Sequence, residues 1–158
     1  MRRRHFLPLL ATPLVSRLAQ AQQANAGDVP PSPQEQQIEF DRELKKRVGS
    51  RPIREGKVKV DVPQLADNGN SVACSIVVDS PMTEADHVKN LHLLLGRNPR
   101  PWAITVHMRP GMPLARFDTR LRLAGTGRVL AVAEMNDGSL WSGHTDVQVT
   151  ISACVDGS

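Results

Sequence analysis

The stretch SVACSIVVDSPMTEADHVKNLHLLL, residues 71–95, decides the fold. Its apolar residues first recur at every second position, at Val72, Cys74, Ile76 and Val78. A strand turns successive side chains to opposite faces, so this period predicts a strand with one buried face. Pro81 breaks that strand, and Asp79 to Asp86 read as a connecting loop. Val88, Leu91, Leu93 and Leu95 then resume the pattern less strictly.

The same period extends outward in both directions. Val58, Val60 and Val62 precede the stretch; Ala103–Met108, Phe117–Leu123 and Val129–Val132 follow it. Leu140 and Trp141, then Val147, Val149 and Ile151, close the series. Turn chemistry separates the runs, at Asp67-Asn68-Gly69-Asn70, Asn98-Pro99-Arg100-Pro101, Pro110-Gly111-Met112-Pro113, Gly125-Thr126-Gly127 and Asn136-Asp137-Gly138. Short strands spaced by such turns, with no helical pattern between them, predict an antiparallel β-sandwich rather than a parallel α/β sheet.

One helix precedes the strands. Ser32, Pro33 and Glu35 form a capping-box start, Phe40, Leu44 and Val48 recur every four residues, and Gly49 stops the run. This predicts a helix over 34–48 whose apolar stripe lies on the sandwich. Residues 22–31 are polar and proline-bearing and read as a disordered linker. Residues 1–21 read as an export signal, with a basic start, an apolar stretch from Phe6 to Val15 and the cleavage pattern Ala19-Gln20-Ala21. Arg3-Arg4-His5-Phe6-Leu7 fits the twin-arginine pattern; an ordinary secretory signal is the alternative, and both deliver to the periplasm. The expected organisation is therefore a signal over 1–21, a linker over 22–31, one helix-plus-sandwich domain over 32–151, and a short arm over 152–158.

Charge excludes two classes of partner. The formal net charge is +4, but Arg2, Arg3, Arg4 and Arg17 lie in the signal, which has no acid. The exported chain is thus near neutral, and aromatic residues are only 3% of the sequence. No basic run interleaved with aromatics is present, so neither nucleic acid nor a membrane surface is an expected partner.

Few side chains suggest chemistry. His87, His92, His107 and His144 have no recognised metal-ligand spacing, and no metal site or cofactor is expected. Ser80, Asp86 and His87 are close in sequence but lie in the connecting loop, without a nucleophile elbow. That loop is instead a candidate docking surface. Cys74 is in phase with Val72, Ile76 and Val78 and reads as a small core residue. Cys154 stands three residues after Ile151, on a segment too short for another element. Three readings of it stay open: a disulfide to Cys74, an intermolecular or idle thiol, and a working thiol carried on a tether.

VKVDVPQLADNGNSVACSIVVDSPMTEADHVKNLHLLLGRNPRP and RLAGTGRVLAVAEMNDGSLWSGHTDVQVTISAC together resemble the SoxY family, the sulfur-compound carriers of periplasmic thiosulfate oxidation. The similarity includes the turn Asp67–Asn70, the loop Val78–Met82 and the segment Ala133–Trp141. It implies a mainly β, immunoglobulin-like antiparallel β-sandwich with one N-terminal α-helix. It also implies a heterodimer with a SoxZ-type sandwich protein. The chain would be no enzyme and would itself carry no cofactor. Intermediates would ride on a cysteine near the C-terminus, which by position matches Cys154. A haem-containing SoxAX-type enzyme would load it, a SoxB-type hydrolase would release sulfate, and a SoxCD-type dehydrogenase would act on the remaining sulfur. The alternative is a non-carrier interaction module with a structural Cys74–Cys154 disulfide; a sulfur-transfer enzyme lacks any identifiable acid, base or metal.

The arm departs from the family in composition. Ser152, Ala153, Cys154, Val155, Asp156 and Gly157 stand where glycines usually flank the cysteine. Glycine gives a thin, free backbone. Val155 adds bulk, and the Asp156 carboxylate disfavours a nearby thiolate and repels an anionic adduct.

Overall fold

A computed structural model describes residues 31–151. The signal, nearly all of the linker and the whole 152–158 arm, with Cys154, lie outside the described residues. Helix α1 spans Pro33–Val48, one residue longer than its period predicts. The Glu35 amide donates to the Ser32 hydroxyl at 3.3 Å, and the Ser32 amide donates to the Glu35 carboxylate at 2.7 Å. Each bond satisfies an amide that the first turn would leave unpaired. Gly49, at φ 68°, ends the helix in a conformation that favours glycine.

Nine strands follow: β1 (Ile53–Glu55), β2 (Val58–Asp61), β3 (Leu65–Asn68), β4 (Val72–Val78), β5 (Val88–Leu95), β6 (Trp102–His107), β7 (Ala115–Leu121), β8 (Gly127–Met135) and β9 (Leu140–Ile151). The larger sheet has the order β1-β9-β8-β5-β6, with β3 also on β9; the smaller has the order β2-β4-β7. The core between the two sheets takes Val72, Cys74, Ile76 and Val78 from one side and Leu91, Leu93, Leu95, Val129 and Ala131 from the other. The expected mainly β sandwich is therefore observed.

The helix explains why β5 alternates poorly. Val48 packs on Val132 and Leu140, with Leu44, Ile53 and Leu130 beside them, on the outer face of the larger sheet. Strand β5 lies between helix and core, so Leu94 and His92 are buried as well as Leu91 and Leu93. A strand covered on both faces loses the polar half of its period.

Two pairings depart from an all-antiparallel plan. β1 and β3 both run parallel to β9, at Leu140–Ser142 and Gln148–Ile151. Between them the chain leaves for the other sheet as β2, which pairs with β4. The crossing needs two glycines. Gly56 sits at φ 110°, and a Cβ at Gly143 would lie 2.0 Å from the Val58 carbonyl oxygen. Glycine at 143 thus lets β2 pass over β9 at backbone contact.

Candidate functional site

The candidate site begins where β9 ends. Ile151 is its last residue and is 63% exposed. Gly69 donates its amide to the Ile151 carbonyl at 2.8 Å, and Leu123 donates to the Gly69 carbonyl at 2.8 Å. Thr126 accepts the Val149 amide at 2.9 Å. Parallel pairing with β3, Ala66 opposite Val149 and Asn68 opposite Ile151, secures the other flank. Residues from two turns, together with β3, thus fix the last described residue of β9. Cys154, with Ser152, Ala153, Val155, Asp156 and Gly157, lies outside the described residues.

Cys74 is the other thiol. It stands on β4 opposite Thr119, is 3% exposed and is free. Burial, then the charges of Asp61 and Asp118, push its pKa up to about 11. A thiol acts as a nucleophile only as thiolate, so Cys74 has the chemistry of a small core residue at neutral pH.

Three of the candidate histidines, His87, His92 and His107, make local hydrogen bonds. His87 Nδ1 lies 3.0 Å from the Thr83 carbonyl, and His107 Nδ1 lies 2.6 Å from Asn90 Oδ1. His92 is 5% exposed beneath α1, with Nδ1 2.8 Å from Thr105 Oγ1 and Nε2 buried without a partner. Burial pulls its pKa down; Glu134 opposes this, while Arg47, His107 and Arg51 add to it. Thr105 Oγ1 also accepts from Trp102 Nε1 at 3.2 Å, and the Arg47 guanidinium stacks 4.0 Å from the Trp102 ring centre. This group fastens the helix to β5 and β6. Among the described residues, no three His, Cys, Asp or Glu side chains converge as a metal site requires.

The loop Asp79–Asp86 is structured rather than catalytic. Ser80 Oγ accepts the Met82 amide at 3.3 Å, and His87 Nδ1 is engaged with Thr83, so no serine–histidine pair forms. Met82 is buried at φ 53°, and its carbonyl accepts from Gly111 at 2.7 Å. Asn136 binds the Ala85 carbonyl at 3.0 Å. These contacts place the loop beside the β8–β9 turn. β9 then runs 12 residues to the arm root, about 35 Å away at strand spacing. The loop expected as a docking surface therefore lies at the far end of the sandwich from Ile151.

Comparison with known proteins agrees with this layout. A family model described as sulfur oxidation protein SoxY matches residues 44–154. No curated protein matches the chain. Among solved structures, the sulfur carrier protein SoxY from Chlorobium limicola f thiosulfatophilum aligns with TM-score 0.61 at 24% identity, covering 72% of this chain and 98% of that one. A superoxide reductase (neelaredoxin) from Ignicoccus hospitalis aligns with TM-score 0.52 at 20% identity, covering 60% of this chain and 80% of that one. A superoxide reductase from Nanoarchaeum equitans gives TM-score 0.51 at 14% identity, covering 61% of this chain and 100% of that one. At these identities the structural likenesses establish the sandwich fold.

Proposed function

The chain belongs to the SoxY family of sulfur oxidation proteins, and on that premise we propose that it is a covalent carrier of sulfur intermediates, with Cys154 as the attachment point. The observation that carries this reading is that the family match ends on Cys154, while the other thiol, Cys74, is enclosed in the core. The carrier is periplasmic, exported by its twin-arginine signal, and works as a heterodimer with a SoxZ-type sandwich protein.

The chemistry needs a thiol and a handle, not a catalytic centre. Loading joins the Cys154 sulfur to the sulfane sulfur of thiosulfate. One S–S bond forms, the thiol proton leaves, and two electrons pass to a haem-containing SoxAX-type partner. The product is a cysteine S-thiosulfonate, R–S–S–SO3−. A SoxB-type hydrolase adds water across its terminal S–S bond, which releases sulfate and a proton and leaves a persulfide. A SoxCD-type dehydrogenase takes that remaining sulfur onward. The tether allows this exchange. From Ile151, three extended residues reach about 10 Å, enough to place the sulfur inside a partner's cleft while the sandwich stays outside.

Exposure of the mature protein to thiosulfate and its oxidising partner should add mass to Cys154 alone. An adduct that persists in Cys154→Ser would refute the assignment. The alternative, an interaction module closed by a Cys74–Cys154 disulfide, predicts instead a linked peptide under non-reducing conditions.

A further inference from the structure

Three exposed arginines lie at the end of the sandwich where β9 finishes. Arg97 lies in the turn after β5, Arg120 near the end of β7 and Arg122 just beyond it, and all three are exposed. The hydrogen bonds of the arm root bring these distant positions together. Leu123, the neighbour of Arg122, donates to Gly69, and Gly69 donates to Ile151. Asn98, the neighbour of Arg97, donates to the Arg122 carbonyl at 2.8 Å and accepts the Ala124 amide at 2.9 Å. Arg120 Nε donates to Ser71 Oγ at 2.7 Å, two residues from Gly69. Among the described residues, none of the three is ion-paired with a carboxylate. The acids near these positions are Asp67, Asp118 and Asp146; Arg116 takes Asp118 at 2.9 Å and Arg128 takes Asp146 at 3.3 Å.

Exposed arginines without a carboxylate partner at one end of the sandwich attract an anion. The segment that starts at this point is itself acidic, with Asp156 its one charged side chain. Asp156 stands five positions after Ile151, a reach of about 17 Å when extended. A thiosulfonate on Cys154 would bring a second negative group within about 10 Å of the root. We propose that Arg97, Arg120 and Arg122 form a seat for the acidic 152–158 arm, held by Asp156 when the arm is empty and by the anionic cargo on Cys154 when it is loaded. The cargo half rests on the carrier reading; the Asp156 half does not. The seat also gives Asp156 a use: it anchors an arm that lacks the family's flanking glycines. A loaded arm parked there keeps its sulfur–sulfur bond from stray thiols until a partner draws it out.

NMR on the 15N-labelled mature protein tests this. The arm amides and the Arg97, Arg120 and Arg122 Nε–H signals would be followed in the wild type, Asp156→Asn and the triple variant R97Q/R120Q/R122Q. The expected result is loss of the wild-type arm shifts in both variants. The same loss is expected in about 1 M salt, where the Debye length falls to about 3 Å. Tetrathionate then loads the cysteine: the thiolate displaces thiosulfate and leaves R–S–S–SO3−. Loading should restore the arm and arginine shifts in Asp156→Asn and leave the arm shifts of the triple variant unrestored. Arm signals that are identical in the wild type, Asp156→Asn and the triple variant would overturn the seat and leave these arginines to an acidic partner. Absence of the adduct at Cys154 by mass would contradict the carrier reading, while the unloaded variants still decide the seat.

Discussion

Gly69 donates its amide to the carbonyl of Ile151 across 2.8 Å, and this bond ties the last residue of β9 to the turn between β3 and β4. Gly69 is itself buried. The last described residue of β9 is therefore tied to a buried turn, three positions before Cys154 in the sequence.

Thr126 supports the same root from the other side by accepting the Val149 amide. Thr126→Ala removes that acceptor at an exposed position. The expected cost is about 0.5–1 kcal/mol in urea unfolding, with faster hydrogen exchange at the Gly69 amide and unchanged exchange in β4. Equal exchange at Gly69 in both proteins would show that Thr126 plays no part in fixing the root.

The two thiols should separate cleanly by reactivity. With its pKa raised from 9.0 to about 11, Cys74 holds a thiolate fraction roughly a hundredfold below that of an ordinary thiol at neutral pH. Iodoacetamide at neutral pH should label Cys154 in the folded protein and Cys74 only after unfolding. Cys74→Ser should destabilise the fold by about 1–3 kcal/mol, because a hydroxyl replaces a buried thiol, while loading of Cys154 stays at the wild-type level. Labelling of Cys74 in the native state would mean that the core opens far more readily than its packing implies.

His92 makes stability fall on mild acidification. Its folded pKa is lowered, first by burial, so below about 6.5 the unfolded chain binds a proton that the folded chain resists. This contribution is fully present above about 6.5 and is lost as pH falls from there toward the depressed folded value. The carboxylates with lowered pKa, Glu35, Glu134, Asp118 and Asp137, act only below about 4.5. Urea midpoints at pH 7.5 and about 5.2, inside the window these references leave, should differ in the wild type and converge in His92→Gln. The same slope in both proteins would assign the effect to another group.

Much of the fold was legible in the residues. The capping box fixed α1 to within a residue, and the alternation from Val72 to Val78 gave β4 at its observed bounds. Strands β1 and β3 were not legible, because Ile53–Glu55 and Leu65–Asn68 are short and lack alternation. Their place is set by the long edge of β9, a tertiary condition that no local pattern records. The connecting loop Asp79–Asp86 was legible as a loop, but not that it lies at the opposite end from the arm. The sequence shows no basic run, yet hydrogen bonds join the turns that carry or adjoin Arg97, Arg120 and Arg122 at the Ile151 end. The role proposed for Cys154 rests on the sequence alone: its position after the last strand and the family resemblance carry it.

The most direct measurement is non-reducing peptide mapping of the mature protein after exposure to thiosulfate and its oxidising partner. A carrier predicts a Cys154 peptide heavier by the thiosulfonate, an unmodified Cys74 peptide, and no adduct in Cys154→Ser. A linked Cys74–Cys154 peptide from the folded protein, or an adduct that survives Cys154→Ser, would contradict it.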